Sequence, residues 1–216
     1  MDDSTIRAIS IIAMVSGVLC VIFYLLHDVI GAMNYPGYDV MRQAVSDLTA
    51  TDAPSFAIAS GISSVYGIFA CLCCVLLCLM FMDKRKSICT GIILFTAMQF
   101  VSAIGYSLFP LSSSGYDGSI QSFIHVYVIT IAVVLLSITS LIVIAVGGFK
   151  DGRKVLGTVS IIALLCMMFG AMGSSMLPED VFGIVERFST YSAVIFTGFL
   201  GIYGYIKTTK QCPVSS

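Results

Sequence analysis

Charge is what this sequence has least of. Only 11% of its 216 residues are Asp, Glu, Lys or Arg, against 58% hydrophobic residues and a mean hydropathy of +1.01. That is about half the charged share of an ordinary soluble domain. A globule of this composition has too few polar groups to cover its own surface in water, which excludes a free soluble enzyme and makes a bilayer the solvent. Base is not in excess either: 11 Lys and Arg stand against 12 Asp and Glu. The positive field that nucleic-acid binding requires is therefore missing.

Other absences narrow the chemistry. The eight cysteines, Cys20, Cys71, Cys73, Cys74, Cys78, Cys89, Cys166 and Cys212, avoid the connections expected on the outer side, so no disulfide framework is expected. They are predicted to be small buried apolar residues. The CxxC spacing in Cys71-Leu-Cys-Cys74 lies in mid-span without the second pair or histidine that a closed zinc site needs. There is no nucleophile elbow, phosphate-cradling loop, HExxH or CxxCH. The leader MDDSTIR is net acidic and no small-x-small cleavage site follows, so the first apolar run is expected to be a retained helix. Cys212 stands fifth from the end, outside a prenylation pattern. With no low-complexity stretch or linker, residues 1–216 are expected to form a single transmembrane domain.

Six stretches lack charge altogether: 8–26, 53–82, 87–116, 118–149, 155–178 and 188–206. A charged side chain at a bilayer centre costs about 2.5 to 3.5 kcal/mol, and one crossing takes about 20 residues. The expected fold class is therefore an all-α integral membrane protein, a bundle of six transmembrane helices over approximately 8–30, 55–82, 88–109, 120–147, 155–177 and 188–206. Of the eleven basic residues, Arg7, Lys84, Arg85, Lys86, Lys150, Arg153, Lys154, Lys207 and Lys210 lie at the termini and in the second and fourth loops, and only Arg42 and Arg187 elsewhere. Retention of Lys and Arg in the cytoplasm puts both termini inside. Glycines at 170, 173, 198, 201 and 204 favour close helix packing.

The first outer connection has a pattern of its own. Tyr38, Met41, Val45 and Leu48 repeat at intervals of three and four, with Asp39, Arg42, Gln43, Ser46 and Asp47 opposite. This periodicity predicts a short amphipathic helix along the membrane surface, preceded by a Pro36-Gly37 turn. Thr51-Asp52-Ala53-Pro54 then predicts a helix start with Asp52 as capping acceptor. The third and fifth spans end alike, in Ser107-Leu-Phe-Pro110 and Ser175-Met-Leu-Pro178, both prolines marking helix exits.

Polar residues gather at the outer level. His27, Asp28, Ser46, Asp47, Asp52, His125, Glu186 and Arg187 are the candidates for a polar cluster or ligand site, because ionisable groups at such depth face the bundle interior or water and pair with one another. A pocket opening outward is one reading. An interface ion pair at Glu186 and Arg187, with His27 and Asp28 snorkelling at a helix end, is the other. His125 is the most informative single residue. It lies about one turn inside its span, where an unpaired imidazole is costly and a carboxylate or metal partner would help. A zinc site from His27, His125 and Asp28 or Asp47 is chemically possible, although the chain has only two histidines.

The segment Gln43-Ala-Val-Ser-Asp-Leu-Thr-Ala-Thr-Asp-Ala-Pro54, the Leu108-Phe-Pro110 exit followed by a histidine early in the fourth span, and Glu186-Arg187 before a tyrosine-containing sixth span resemble the domain of unknown function 998 family. The resemblance covers nearly the whole chain. It implies a small prokaryotic six-span protein of the plasma membrane, without an assigned biochemical activity, and points to Ser46, Asp47, His125, Glu186 and Arg187 as positions of a shared site. Members often carry an acid soon after the Phe-Pro exit, whereas here Leu111-Ser-Ser-Ser114 follows and Asp117 is the first acid.

Three functions fit these residues. The first is a non-catalytic membrane protein whose outer cluster holds the bundle together or binds a lipid head group or small ligand. The second is a metal-dependent interfacial hydrolase acting on lipid. The third is a transporter or accessory subunit, and the span centres, free of charge and proline, count against a proton- or ion-coupled carrier. Membrane lipids are the expected partners.

Overall fold

The computed structural model describes residues 2–82 and 86–211, so Lys84, Arg85 and Cys212 lie outside the described residues. Every element among them is helical. The long helices are α1 (Asp3–Met33), α2 (Phe56–Phe81), α3 (Lys86–Leu108), a continuous rod formed by α4 (Ile120–Phe123), a π-helical turn (Ile124–Ile129) and α5 (Thr130–Lys150), then α6 (Lys154–Met176) and α7 (Phe182–Gln211). Helices α3 and α6 stop two residues before Pro110 and Pro178, as the lost N–H and the restriction on the preceding residue require. Five of these rods, α7 excepted, are long and apolar enough to cross a membrane by length and composition.

The polarity of the helices is inverted relative to a protein in water. Helix α1 turns Ser10, Ala13, Ser16, Gly17, Cys20 and Gly31 inward, and leaves Ile11, Ile12, Val15, Val18, Ile22 and Leu25 exposed. Small residues inside and large apolar ones outside is the arrangement of helices solvated by lipid, where packing and interhelical hydrogen bonds supply the cohesion. Gln99 on α3 donates to Thr197 Oγ1 on α7 at 2.7 Å, and Thr96 Oγ1 donates to the Cys74 carbonyl on α2 at 3.3 Å. At Gly170 a β-carbon would overlap the Ser189 backbone, so α6 and α7 approach as closely as the glycine pattern predicts. The chain is a multi-pass membrane protein.

Each rod packs on its neighbours in sequence, and α7 returns to α1, closing a ring. Neighbouring helices run antiparallel: Gly17 meets Thr197 and Gly198 while Asp28 meets Arg187, and Gly91 meets Ile144 while Gly105 meets Ile129. The start of α1 and the end of α7 therefore lie at one end of the ring. Phe95, Met98, Leu141, Ile144, Phe196 and Leu200 fill its centre with Cys73 and Cys74.

At the opposite end, the first connection departs from the predicted amphipathic helix. Residues 40–42 form a turn, and only Val45–Thr49 is helical, as a 3-10 helix. The backbone there has better partners than itself. The Asp39 carboxylate accepts from Met41 N at 2.9 Å, the Gln43 side chain accepts from Asp39 N at 2.8 Å, and α7 takes the carbonyls of Val40, Met41 and Gln43. A helix would consume those same groups internally. The predicted cap is also corrected: α2 begins at Phe56 with Ser55 in the N-cap position, and Asp52 sits exposed in the preceding turn. The Ser55 hydroxyl instead donates to the Leu48 carbonyl at 2.8 Å, tying the 3-10 helix to the start of α2.

Candidate functional site

Antiparallel packing of α1 and α7 sets Asp28, near the end of one, opposite Arg187, near the start of the other. Arg187 Nε donates to Asp28 Oδ2 at 2.9 Å and Nη2 to Oδ1 at 2.8 Å, and the Tyr191 hydroxyl donates to the same carboxylate. Nη2 also donates to the Tyr38 hydroxyl at 2.9 Å, which itself donates to the Ala44 carbonyl at 2.7 Å. Nη1 reaches the carbonyls of Val40, Gly183 and Gln43 at 3.0, 2.9 and 3.2 Å. Asp28 and Arg187 are each 6% exposed. A buried ion pair is tolerable only when its remaining donors and acceptors are satisfied, and here all five guanidinium N–H groups have acceptors.

Three residues of α7 at four-residue spacing make this possible, because positions four apart share a helix face. Gly183 and Arg187 face the connection after α1, and Tyr191, one turn further along, faces Asp28 at the end of α1. Gly183 N donates to the Met41 carbonyl at 2.7 Å, and a β-carbon at 183 would overlap the carbonyl oxygens of Val40 and Gln43. Glu186, on the adjoining strip, accepts from Val45 N at 3.1 Å.

Asp47 performs the second attachment. Its Oδ2 accepts from Ala44 N at 3.2 Å and its Oδ1 from Gly115 N at 2.9 Å, Gly115 having the positive φ of 79° that favours glycine. Gln43 Nε2 donates to Ser114 Oγ at 3.1 Å, and Thr51 donates through its amide to the Leu111 carbonyl and through its hydroxyl to that of Ser112. The connections after α1 and after α3 thus form one cap. Burial pushes the Asp47 carboxyl above the ordinary carboxylate range, while the N–H donors of Gly115 and Ala44 pull it back. Among the described residues Asp47 makes no hydrogen bond to His125 or Arg187.

A family model described as protein of unknown function (DUF998) matches residues 18–203, a range that holds every cluster residue named above. The chain belongs to the DUF998 family. No curated protein and no solved structure matches it.

Within this DUF998 chain the two histidines are separately placed. His125 lies in the π-helical turn, where Thr130 donates to its carbonyl at 2.9 Å. Its Nδ1 donates to the Phe109 carbonyl at 2.8 Å, just past the end of α3, and its ring packs, tilted by 39°, with its centre 4.6 Å from that of Tyr106. That acceptor fixes the proton on Nδ1. His27 is 4% exposed beside Tyr24, and neither of its ring nitrogens has a partner among the described residues. No three His, Cys, Asp or Glu side chains among the described residues are grouped to hold a metal ion.

Of the eight candidates, Asp28, Asp47, Glu186 and Arg187 meet at the cap, His27 lies beside Asp28 in α1, and His125 fastens α3 to α4. Ser46 is half-buried, its carbonyl accepting from Thr49 Oγ1 at 3.0 Å, and Asp52 stands outside the cluster. Sequence reasoning passes over Tyr38 as a partner of Arg187, and over Gly183, Tyr191, Ser114 and Gly115. The four-residue rhythm of Gly183, Arg187 and Tyr191 is the signal that could have found the two on α7.

Proposed function

We propose that this DUF998 protein crosses a prokaryotic plasma membrane six times, α7 being the sixth span, with both termini in the cytoplasm and a non-catalytic outer cap. The observation that carries the reading is the full commitment of the Arg187 guanidinium to Asp28, Tyr38 and three backbone carbonyls. A cation used in this way has no donor left for a substrate. Its work is to hold the first outer connection over the mouth of the bundle. The orientation is supported by the distribution of basic residues, nine of eleven on the side of the termini.

A second reading, that a lipid head group or small ligand is taken up beneath the cap, is favoured by His27. This buried imidazole has hydrogen-bonding capacity that nothing among the described residues uses, and such groups ordinarily find a partner. The metal-dependent hydrolase needs His27 and His125 on one ion, and Nδ1 of His125 is already committed to the Phe109 carbonyl.

Thermal melting of detergent-purified Asp28→Asn, Arg187→Gln and the double variant tests the structural cap. Each single change leaves a buried polar or charged group unpaired and is expected to cost about 3 to 5 kcal/mol, while the double variant loses clearly less than the sum. Simple additivity would overturn the latch. Zinc retained in stoichiometric amount by the wild type and lost in His27→Ala would bring the hydrolase forward instead.

A further inference from the structure

The end of the ring opposite the cap carries a feature that the latch does not involve. Between the start of α6 and the last turns of α7 lies a cavity of about 390 Å³ whose polar wall is formed by Arg153, Lys154, Lys207 and Lys210. Asp151 pairs with Arg153 at 2.6 Å, and among the described residues that line the cavity there is no acid to offset Lys154, Lys207 and Lys210. The first turn of α6 opens onto the same cavity. Its N-cap residue is Arg153, which makes no side-chain capping bond, so the N–H groups of that turn keep their capacity for an anion.

Tyr203 supplies an independent sign of a missing ligand. It lines the cavity, is 6% exposed, and its buried hydroxyl has no acceptor for its proton among the described residues, the Arg153 guanidinium beside it being able only to donate. The Arg153 guanidinium stands beside that hydroxyl, and Lys207 Nζ lies 5.5 Å from the centre of the tyrosine ring. A donor left idle among cations, next to an uncapped helix start, is complemented by a group that accepts several hydrogen bonds and carries negative charge. Phosphate has that chemistry.

We propose that this cavity binds the phosphate of an anionic phospholipid head group. The lipid is favoured over free phosphate by the opposite wall, where Val155, Ile202 and Ile206 are exposed at the same opening and continue the apolar surface along which acyl chains run. Basic pockets between membrane helices near the bilayer surface hold acidic head groups by this combination. The assignment rests on the six-span reading, which puts the end of α7 at the membrane boundary.

The test is native mass spectrometry of the full-length protein titrated with phosphatidylglycerol or phosphatidylcholine. The wild type is expected to retain phosphatidylglycerol in preference. Arg153→Gln with Lys207→Gln should weaken that retention by roughly fivefold for each positive charge removed, and Lys154→Gln with Lys210→Gln, both at exposed positions, provides a pair that leaves the fold intact. Tyr203→Phe should weaken it by more than it lowers the lipid-free melting temperature, because the proton it removes has no acceptor until the lipid is bound. Equal retention of both lipids by the wild type, or undiminished preference in both paired variants, would overturn the proposal. Displacement by millimolar inorganic phosphate would keep the phosphate site and overturn the lipid as its source. Reporter fusions read the topology independently, so a C-terminus found outside marks failure of the six-span reading, whereas lost lipid preference with the C-terminus inside marks failure of the site.

Discussion

Asp28 and Arg187, 159 residues apart in sequence, meet through two parallel N–H···O bonds of 2.8 and 2.9 Å. The geometry uses the planar fork of the guanidinium, and the remaining N–H groups reach Tyr38 and three carbonyls. A lysine ammonium offers three donors from a single point and cannot span both carboxylate oxygens while serving the connection. Arg187→Lys is therefore expected to lose most of what Arg187→Gln loses, about 3 kcal/mol or more, read as a melting temperature in detergent. A lysine variant as stable as the wild type would show that charge alone suffices.

His27 gives the opposite expectation. Both ring nitrogens are buried without partners among the described residues, so the imidazole carries a desolvation cost that no bond returns. His27→Phe, similar in shape and without polar atoms, is expected to melt at or above the wild-type temperature. If lipid extract added to the purified protein stabilises the wild type and not this variant, the ligand reading of the outer cluster gains its first contact.

Asp47 makes the cap sensitive to pH. Burial raises its carboxyl above the usual range, so the folded state holds the proton more tightly than the unfolded chain does. Its contribution to stability is then largest at low pH and declines as pH rises from the ordinary carboxylate pKa of about 3.9 to the raised folded value. The ionisable neighbours are His125 and Glu186. Against Asp47→Asn, which does not titrate, the wild type should gain melting temperature as the buffer is lowered from neutral toward mildly acidic. A difference constant across that range would contradict the raised pKa.

Topology has a direct measure. Reporter fusions at Lys86, Ser114, Gly152 and the C-terminus should read inside, outside, inside, inside, as the placement of Lys and Arg demands. An external C-terminal signal would remove α7 from the set of crossing helices.

The helices were legible because charge is so costly in a bilayer that its absence outlines them. The proline exits at Pro110 and Pro178 were legible for an equally local reason. The latch was partly legible: Asp28 and Arg187 stood out as charges at one depth, but nothing local pairs residues on the first and last helices, and ring closure alone brings them together. The first outer connection misled because its apolar rhythm is genuine, Val45 and Leu48 being buried, whereas its backbone is claimed by Arg187 and Gly183 of a helix far along the chain. Asp52 has the composition of a cap, yet the start of α2 was decided by Ser55 reaching back to Leu48.

The π-helical turn at Ile124–Ile129 works as a phase step in an otherwise regular rod. An α-helix advances about 100° per residue, so one residue more or fewer rotates everything on one side of it relative to the other. Here the surplus is absorbed between His125, held by Phe109, and the inward face that Ser137, Leu141 and Ile144 present farther along. The two halves of the fourth rod are consequently indexed separately, the outer half to the end of α3 and the inner half to the bundle core. Loss of one residue inside the turn, after His125, would remove that surplus and leave an unbroken helix with both halves still in register, whereas the same loss within α5 would keep the turn and rotate the inner end by about 100°.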